Sequence, residues 1–486
     1  MSRDLLPPLV VGFDLDMTLI DTVPGFRATL GVLATELGVE LPAEEMTRRL
    51  GPPLEQLLAP YLPAEQIGPA GDRFRELYPD HAVATVPPLP GAHEALAAVR
   101  ELGGGTVVVT GKYTPNAQRH LDRLALDVDH LEGWVWGVGK AEALRTHGAS
   151  VYVGDHVHDV EGARAAGVLS VSVLTGGCTR EELLDAGTDV VLESLEAFPG
   201  WLAEHVLEQR RVALEQRLRE LGSVLVAFSG GADSALVLAA AVRVLGRDRV
   251  VAATGYSHAL PAAERDPARA LAEQLGVRVL TPATHELDRV GYRANAGDRC
   301  YFCKAELLDT LVPLAAEHGL AAVATGTNAD DVRAGFRPGI RAADERGAVT
   351  PLADAGLTKA QVRELSRRWG VPTWSKPAAA CLSSRVAYGL EITPTRLARV
   401  ERAEAAVRAV LEGAGVILRD LRVRDLGEAA SVEVDAPLAR RLAGGETAAR
   451  VLAAVREAGF HEASIDPRGF RSGSMNERLS QPERYR

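Results

Sequence analysis

Two short apolar runs in this chain end in the same way, and that shared form restricts the fold more than any other feature. Leu9-Val10-Val11-Gly12-Phe13 runs into Asp14-Leu15-Asp16-Met17-Thr18, and Val224-Leu225-Val226-Ala227-Phe228 runs into Ser229-Gly230-Gly231-Ala232-Asp233-Ser234. Each reads as a β-branched strand, then a polar or glycine-rich turn, then helix-forming sequence. Such strands, alternating with longer amphipathic stretches, mark α/β domains with largely parallel sheets. Further runs of this type lie at 106–110, 151–154, 250–254 and 277–281. At 486 residues the chain is too long for one ordinary domain, and both halves read as doubly wound parallel-sheet domains. Ligands in such sheets bind beyond the carboxyl ends of the strands, so chemistry is expected at these turns.

Residues 1–200 carry the first opening and 223–381 the second. Between them, 201–222 has apolar residues at helical spacing and reads as a connecting helix. Residues 21 to about 88 form a helical, proline-punctuated insertion, the position of a cap or lid. From 382 to 476 the pattern changes to a helix around 395–411 and alternating runs such as 431–434, predicting a small α+β appendage. Residues 477–486 are a polar tail. The formal net charge of -11 provides no broad basic field for a nucleic-acid backbone, so small anionic substrates in local basic pockets are expected. No stretch reaches the roughly 20 apolar residues that span a bilayer, and the opening segment lacks the apolar run of a secretion signal. A cytoplasmic location is expected, with the four cysteines reduced and read as free, metal-binding or catalytic.

Asp14 and Asp16 stand two apart at a strand end, where both can project into one cleft as the backbone turns. One carboxylate can attack phosphorus while the other handles protons, and their joint charge calls for a divalent cation. Asp155 and Asp159, in Val153-Gly154-Asp155-His156-Val157-His158-Asp159, end another strand and add oxygen donors of the kind that suit Mg²⁺. Thr110 ends the strand TVVVT and Lys140 precedes the acidic turn, and the two can hold phosphoryl oxygens. His156 and His158 are read as surface residues. In this order, at strand ends, the set resembles the haloacid dehalogenase superfamily of phosphatases. The resemblance implies that Asp14 is a nucleophile forming an aspartyl phosphate, Asp16 the general acid/base, and Thr110 and Lys140 phosphate contacts. It also implies Mg²⁺ held by Asp14, Asp16, Asp155 and Asp159, with the insertion as a helical cap that selects the substrate.

In the second opening, paired glycines let backbone N–H groups approach phosphate, and the helix N-terminus adds positive potential. No Gly-Lys-Ser/Thr follows, so this is not the Walker pattern. The loop resembles the pyrophosphate-binding loop of the N-type ATP pyrophosphatases. That implies adenylation of a carboxyl or carbonyl group with release of pyrophosphate, ATP held by Ser229, Gly230, Gly231, Asp233 and Ser234, and Asp233 as a magnesium partner.

Three of the four cysteines lie in this half. Cys300 and Cys303 form a C-x-x-C in Asp298-Arg299-Cys300-Tyr301-Phe302-Cys303-Lys304, and Cys381 follows Lys376-Pro377-Ala378-Ala379-Ala380. Basic neighbours Arg299, Lys304, Lys376 and Arg385 would favour thiolates, whereas Cys178 is read as an incidental thiol. The segments 327–331, 336–339, 351–359, 376–385 and 469–476 resemble the LarE family, and the match runs from about 207 to 476. These are ATP-dependent sulfur transferases that help build the nickel-pincer nucleotide cofactor of lactate racemase and related enzymes. The resemblance implies a pyridinium mononucleotide substrate whose carboxylates are adenylated and converted to thiocarboxylates. It also implies other enzymes of nickel-pincer assembly as pathway partners, and a homo-oligomer. In single-cysteine members the residue matching Cys381 gives up its sulfur and becomes dehydroalanine. Three-cysteine members bind a [4Fe–4S] cluster, and Cys300, Cys303 and Cys381 match that set, which favours a cluster-bearing enzyme that turns over. The alternatives are a zinc site, or a buried thiol pair beside a sacrificial Cys381.

Arg422-Val423-Arg424 puts two guanidinium groups on one strand face, suited on pattern alone to a substrate anion or to solvent. The resemblance assigns them, with Arg385, to the substrate. Glu401 and Glu404, one helical turn apart, read as an exposed face, while Asp330 and Asp331 suit magnesium or ribose. Two other readings compete. One is a tRNA thiolase of the same PP-loop superfamily, against which no appended RNA-binding module is found. The other makes the first half an inactive docking domain, against which intact Asp14, Asp16 and Asp155 argue.

Overall fold

A computed structural model describes residues 7–48, 50, 52–335, 337–377 and 380–471. Phe336, Ala378, Ala379, the closing segment 472–476 and the tail 477–486 lie outside them. The chain forms two compact units, Pro7–Glu208 and another that begins at Gln209. The helix Phe198–Leu221 runs through the division.

The first unit is built on six parallel strands: β1 Val10–Phe13, β2 Gly105–Val109, β3 His130–Glu132, β4 Val151–Gly154, β5 Leu169–Val173 and β6 Val190–Leu192. Their order is β3-β2-β1-β4-β5-β6. Strands covered on both faces need apolar residues at successive positions, which explains the unbroken Val-rich runs. Phe13 stands level with Val108 of β2 and Val153 of β4, so the chain leaves these three neighbouring strands side by side. Asp14, Thr110 and Asp155 are the first residues beyond them. The insertion folds as four helices, Val23–Leu37, Ala43–Thr47, Leu54–Leu58 and Ala64–His81. They enclose a core of their own around Phe26, Leu30, Leu58 and Phe74, separate from the sheet's core of Val11, Phe13, Val108 and Val153.

The second unit opens on four parallel strands, β7 Val224–Ala227, β8 Val250–Ala253, β9 Arg278–Leu280 and β10 Ala322–Ala324, in the order β10-β7-β8-β9. Its α+β appendage pairs β11 Leu421–Asp425 antiparallel with β12 Ala429–Val434, and β12 parallel with β13 Glu462–Ile465. The helices Pro394–Gly413 and Glu446–Glu457 supply Val400, Val407, Leu411 and Val451 to its core. That core also takes in Tyr292, Leu382 and Val386, so the cysteine-bearing segments are anchored by the appendage. The fold class is therefore α/β with two doubly wound parallel sheets and a small α+β addition, as the sequence indicates. No helix among the described residues is long and apolar enough to cross a membrane.

Candidate active sites

The ends of β1, β2 and β4 open on a cavity of about 160 Å³. Asp14, Asp155 and Asp159 are buried there, with one carboxylate oxygen of each within 4.8 Å of the others. Lys140 reaches into this group, its Nζ 2.9 Å from Asp14, 2.6 Å from Asp159 and 2.9 Å from the Tyr152 hydroxyl. The Thr18 hydroxyl donates to Asp155 at 2.8 Å, and that of Thr110 accepts the Lys112 N–H at 3.2 Å. Three carboxylates face one ammonium, which leaves two negative charges unmatched in a buried space. A divalent cation with a preference for oxygen would balance them, so the residues fit magnesium. Titration reflects the same imbalance. Burial pushes Asp14 up to about 7 against the pull of Lys140, with Asp159 and Asp16 adding to the rise. Burial also pushes Asp155 well above the carboxylate range, reinforced by Asp159 and Asp14.

Asp16 stands apart from that trio. Its carboxylate pairs with Lys112 at 2.5 Å and accepts the Thr22 hydroxyl. Burial works to raise its pKa, but Lys112, the Thr22 hydroxyl and His120 together hold it below the usual range. The carboxylate group suited to the metal thus narrows to Asp14, Asp155 and Asp159, and Lys112 joins the site unforeseen. Its only signal was its place two residues beyond Thr110. His156 and His158, expected at the surface, line this cavity. His156 is half-buried, and its ring accepts the His158 N–H at 3.2 Å to cap the helix Val157–Ala166.

In the second unit the turn after β7 leads into the helix Ala232–Leu245. Gly230 is left-handed there (φ 69°), and a Cβ on it would fall 2.7 Å from the Ala268 Cβ, so only glycine fits. The hydroxyls of Ser229 and Ser234 lie 3.2 Å apart across the turn. The turn lines a cavity of about 430 Å³ that also takes in Glu286, Cys303, Lys304 and Cys381. A phosphate cradle and two thiols thus share one space. Asp233 pairs with Lys359 and accepts the Asn328 amide at 3.2 Å. Lys376 donates to the Gly230 carbonyl at 3.1 Å and pairs with Glu264 at 2.6 Å. The sequence assigned neither Lys359 nor Lys376 to this loop, although both lie in the segments that resemble LarE. Asp331 lines the cavity, while Asp330 accepts the Lys359 N–H at 2.7 Å.

Cys300 and Cys303 lie in the first two turns of the helix Arg299–Glu317. Cys300 is exposed, Cys303 and Cys381 are half-buried, and all four cysteines are free thiols. Cys303 and Cys381 pack against the same apolar cluster. Arg385 donates to the carbonyls of Ala380 and, at 2.8 Å, Cys381, and pairs with Glu404 at 3.0 Å. Arg299 donates to Asn295 at 2.6 Å and to the Ser383 carbonyl at 2.9 Å. These guanidinium groups are largely engaged elsewhere, and the pull of Arg299 on Cys300 and Cys303 towards thiolate is outweighed by burial, contrary to expectation. Burial pushes the Cys303 thiol well up, with Cys381, Glu286 and Cys300 adding and Arg299 opposing. Three soft thiols with two on one cavity wall fit an iron–sulfur cluster by donor type.

Arg424 is buried, paired with Glu433 at 2.7 Å and donating to the Ser384 carbonyl at 3.0 Å. Arg422 lies over the Phe470 ring at 5.2 Å. Glu401 and Glu404 are not an exposed face. Glu401 accepts the Ala262 N–H at 2.7 Å, and Glu404 takes both Arg385 and the Val423 N–H. A charged residue on a helix shows the same pattern whether it meets water or a partner from another element.

Residues 11–164 match the haloacid dehalogenase-like hydrolase family, 139–198 a HAD-hydrolase-like family and 206–386 NAD synthase. The pyridinium-3,5-bisthiocarboxylic acid mononucleotide synthase of Lactiplantibacillus plantarum is 35% identical over 278 residues, 57% of this chain and 97% of that protein. A phosphoglycolate phosphatase of Caulobacter vibrioides is 32% identical over 213 residues, 39% of this chain and 88% of that protein. Among solved structures, a haloacid dehalogenase-like hydrolase of Streptococcus pneumoniae is 24% identical with a TM-score of 0.38, covering 42% of this chain and all of its own.

Proposed function

Because the chain belongs to the haloacid dehalogenase-like hydrolases over its first unit and to the LarE-type ATP-dependent sulfur transferases over its second, we propose a bifunctional enzyme of nickel-pincer nucleotide assembly. The observation that carries the second activity is the single cavity lined by the Ser229–Ser234 turn, Cys303 and Cys381. ATP phosphates lie against the turn, a carboxylate of a pyridinium biscarboxylate mononucleotide attacks the α-phosphorus, and pyrophosphate leaves. A sulfur nucleophile then attacks the acyl adenylate and AMP departs, leaving a thiocarboxylate. A [4Fe–4S] cluster on Cys300, Cys303 and Cys381 would keep one iron free of protein ligands, suited to carrying an extra sulfide. Lys359 and Lys376 offset the charge of the phosphates.

In the first unit, the Asp14 carboxylate attacks the phosphorus of a phosphate monoester while Lys140 and Thr110 hold its oxygens. Lys112 turns from Asp16 to the phosphoryl group, which lets Asp16 take a proton from solvent and pass it to the departing alcohol. Asp16 then takes a proton from the water that hydrolyses the aspartyl phosphate, giving inorganic phosphate and restoring Asp14. Asp14, Asp155 and Asp159 would hold magnesium, which would supply the positive charge that lets two anions meet.

The test is to incubate anaerobically purified protein with ATP and the biscarboxylate mononucleotide, following AMP and product mass. Thiocarboxylate formation by protein holding about four irons per chain, with iron lost in Cys300→Ala, Cys303→Ala or Cys381→Ala, supports the reading. Iron-free protein whose Cys381 loses the mass of H₂S in the reaction would make the chain a single-use donor. Thiolation of tRNA with none of the mononucleotide would replace the substrate altogether.

A further inference from the structure

Part of the wall of the phosphoryl cavity is aromatic, and the hydrolytic chemistry uses none of it. Trp136 lies against the phosphate-holding turn: a Cβ on Gly111 would fall 2.2 Å from its Nε1, so glycine is what admits the indole this closely. The Trp134 ring is 4.9 Å from that of Trp136, and the Tyr113 ring 5.6 Å from that of Trp134. All three line the cavity, yet Trp134 is 45% and Tyr113 43% exposed. Trp134 also holds left-handed backbone (φ 67°), which a bulky residue keeps only where its surroundings impose it. Strain at an exposed indole beside a reaction centre points to a ligand that stacks there. One ring contact is already made by a flat cation, since the Arg75 guanidinium lies over Trp134 at 4.6 Å.

The cations of the cavity argue in the same direction. Among the described lining residues the lysines and arginines are Arg75, Lys112 and Lys140. Each is paired: Arg75 with Glu55 and Asp72, Lys112 with Asp16, and Lys140 with Asp14 and Asp159. The two imidazoles that also line the cavity are engaged, His156 with the His158 N–H and His158 with Glu161 at 3.0 Å. A small phosphorylated acid would need a further cation for its second charge, and beside these groups the cavity presents rings.

We propose that this site takes phosphate monoesters whose alcohol part carries a planar aromatic ring, the mononucleotide class, with phosphorus at Asp14 and the ring packed in the angle between Trp134 and Trp136, whose planes stand 68° apart, face to one indole and edge to the other. The proposal rests on the phosphohydrolase reading of the site. Its balance is that of hydrolysis: the ester P–O bond breaks, the alcohol oxygen leaves with a proton from Asp16, and water supplies the oxygen that completes inorganic phosphate.

Phosphate release by the full chain with Mg²⁺ tests it, using nicotinamide mononucleotide, ribose 5-phosphate and 2-phosphoglycolate. The first two share the sugar phosphate and differ in the ring. The expected kcat/KM for the mononucleotide exceeds that for either ring-free ester by about tenfold or more. Trp134→Ala should reduce kcat/KM for the mononucleotide about tenfold more than for ribose 5-phosphate, mainly through KM, and Trp134→Phe should restore part of it. Equal or better turnover of the ring-free esters, or equal losses on both substrates in Trp134→Ala, overturns the inference while leaving phosphohydrolase activity in place. Release from none of the three esters defeats the phosphohydrolase reading and this inference with it.

Discussion

His120 is fully buried, with Nε2 3.1 Å from the Tyr78 hydroxyl and Nδ1 without a hydrogen-bond partner. Burial, reinforced by Lys112, pushes its pKa down to about 4. A histidine in the unfolded chain titrates near 6.5. Between those values the unfolded chain binds a proton that the fold refuses. The contribution is therefore whole above pH 6.5 and falls away as the pH drops towards 4, by at most about 3 kcal/mol. Asp14 and Asp155, raised by burial, take up protons in the fold over the same range and act with the opposite sign. The His120 contribution is therefore read as a difference: between pH 7 and pH 5, urea unfolding of the first unit should lose more stability, or gain less, in the parent protein than in His120→Gln. An equal change in the variant would assign the effect to another group. At the same scale, Arg385→Ala removes a guanidinium from two carbonyls and strands Glu404, which should cost about 3 kcal/mol. Sulfur transfer should fall further than pyrophosphate release, because the altered loop carries Cys381 rather than the phosphate cradle. Parallel assays of the two products decide this.

Among the elements, the strand ends announced themselves and the cross-links did not. Asp14, Thr110 and Asp155 could be picked out because each follows directly on a Val-rich run, and parallel-sheet topology makes such positions neighbours. Cys300 and Cys303 were visible through their spacing. Lys112, Lys359, Lys376 and Glu404 were not, since their partners Asp16, Asp233, Glu264 and Arg385 lie 96, 126, 112 and 19 residues away. Local pattern carries burial and periodicity, whereas a salt bridge between elements depends on how those elements pack. The turn at Gly230 offers a sharp test of an element. Alanine there must take a left-handed conformation at about 1–2 kcal/mol and meet the Ala268 Cβ. Gly230→Ala should raise KM for ATP about tenfold or more while phosphate ester hydrolysis stays unchanged. ATP titration with pyrophosphate detection would show it.

Over the whole molecule, each cavity is lined by residues of one unit alone, 14–159 for the phosphoryl site and 227–381 for the nucleotide site. The two activities should therefore separate by single substitutions. Asp14→Asn should abolish ester hydrolysis and spare thiocarboxylate formation, and Cys381→Ala should do the reverse. Loss of both activities in either variant would mean that the sites depend on one another.

Arg385 holds the loop of Cys381 by its carbonyl oxygens and leaves the sulfur out of the bargain. The contour of that loop is therefore indifferent to what the Cys381 side chain carries, and a serine or a derivatised thiol in its place should be presented at the same spot on the cavity wall.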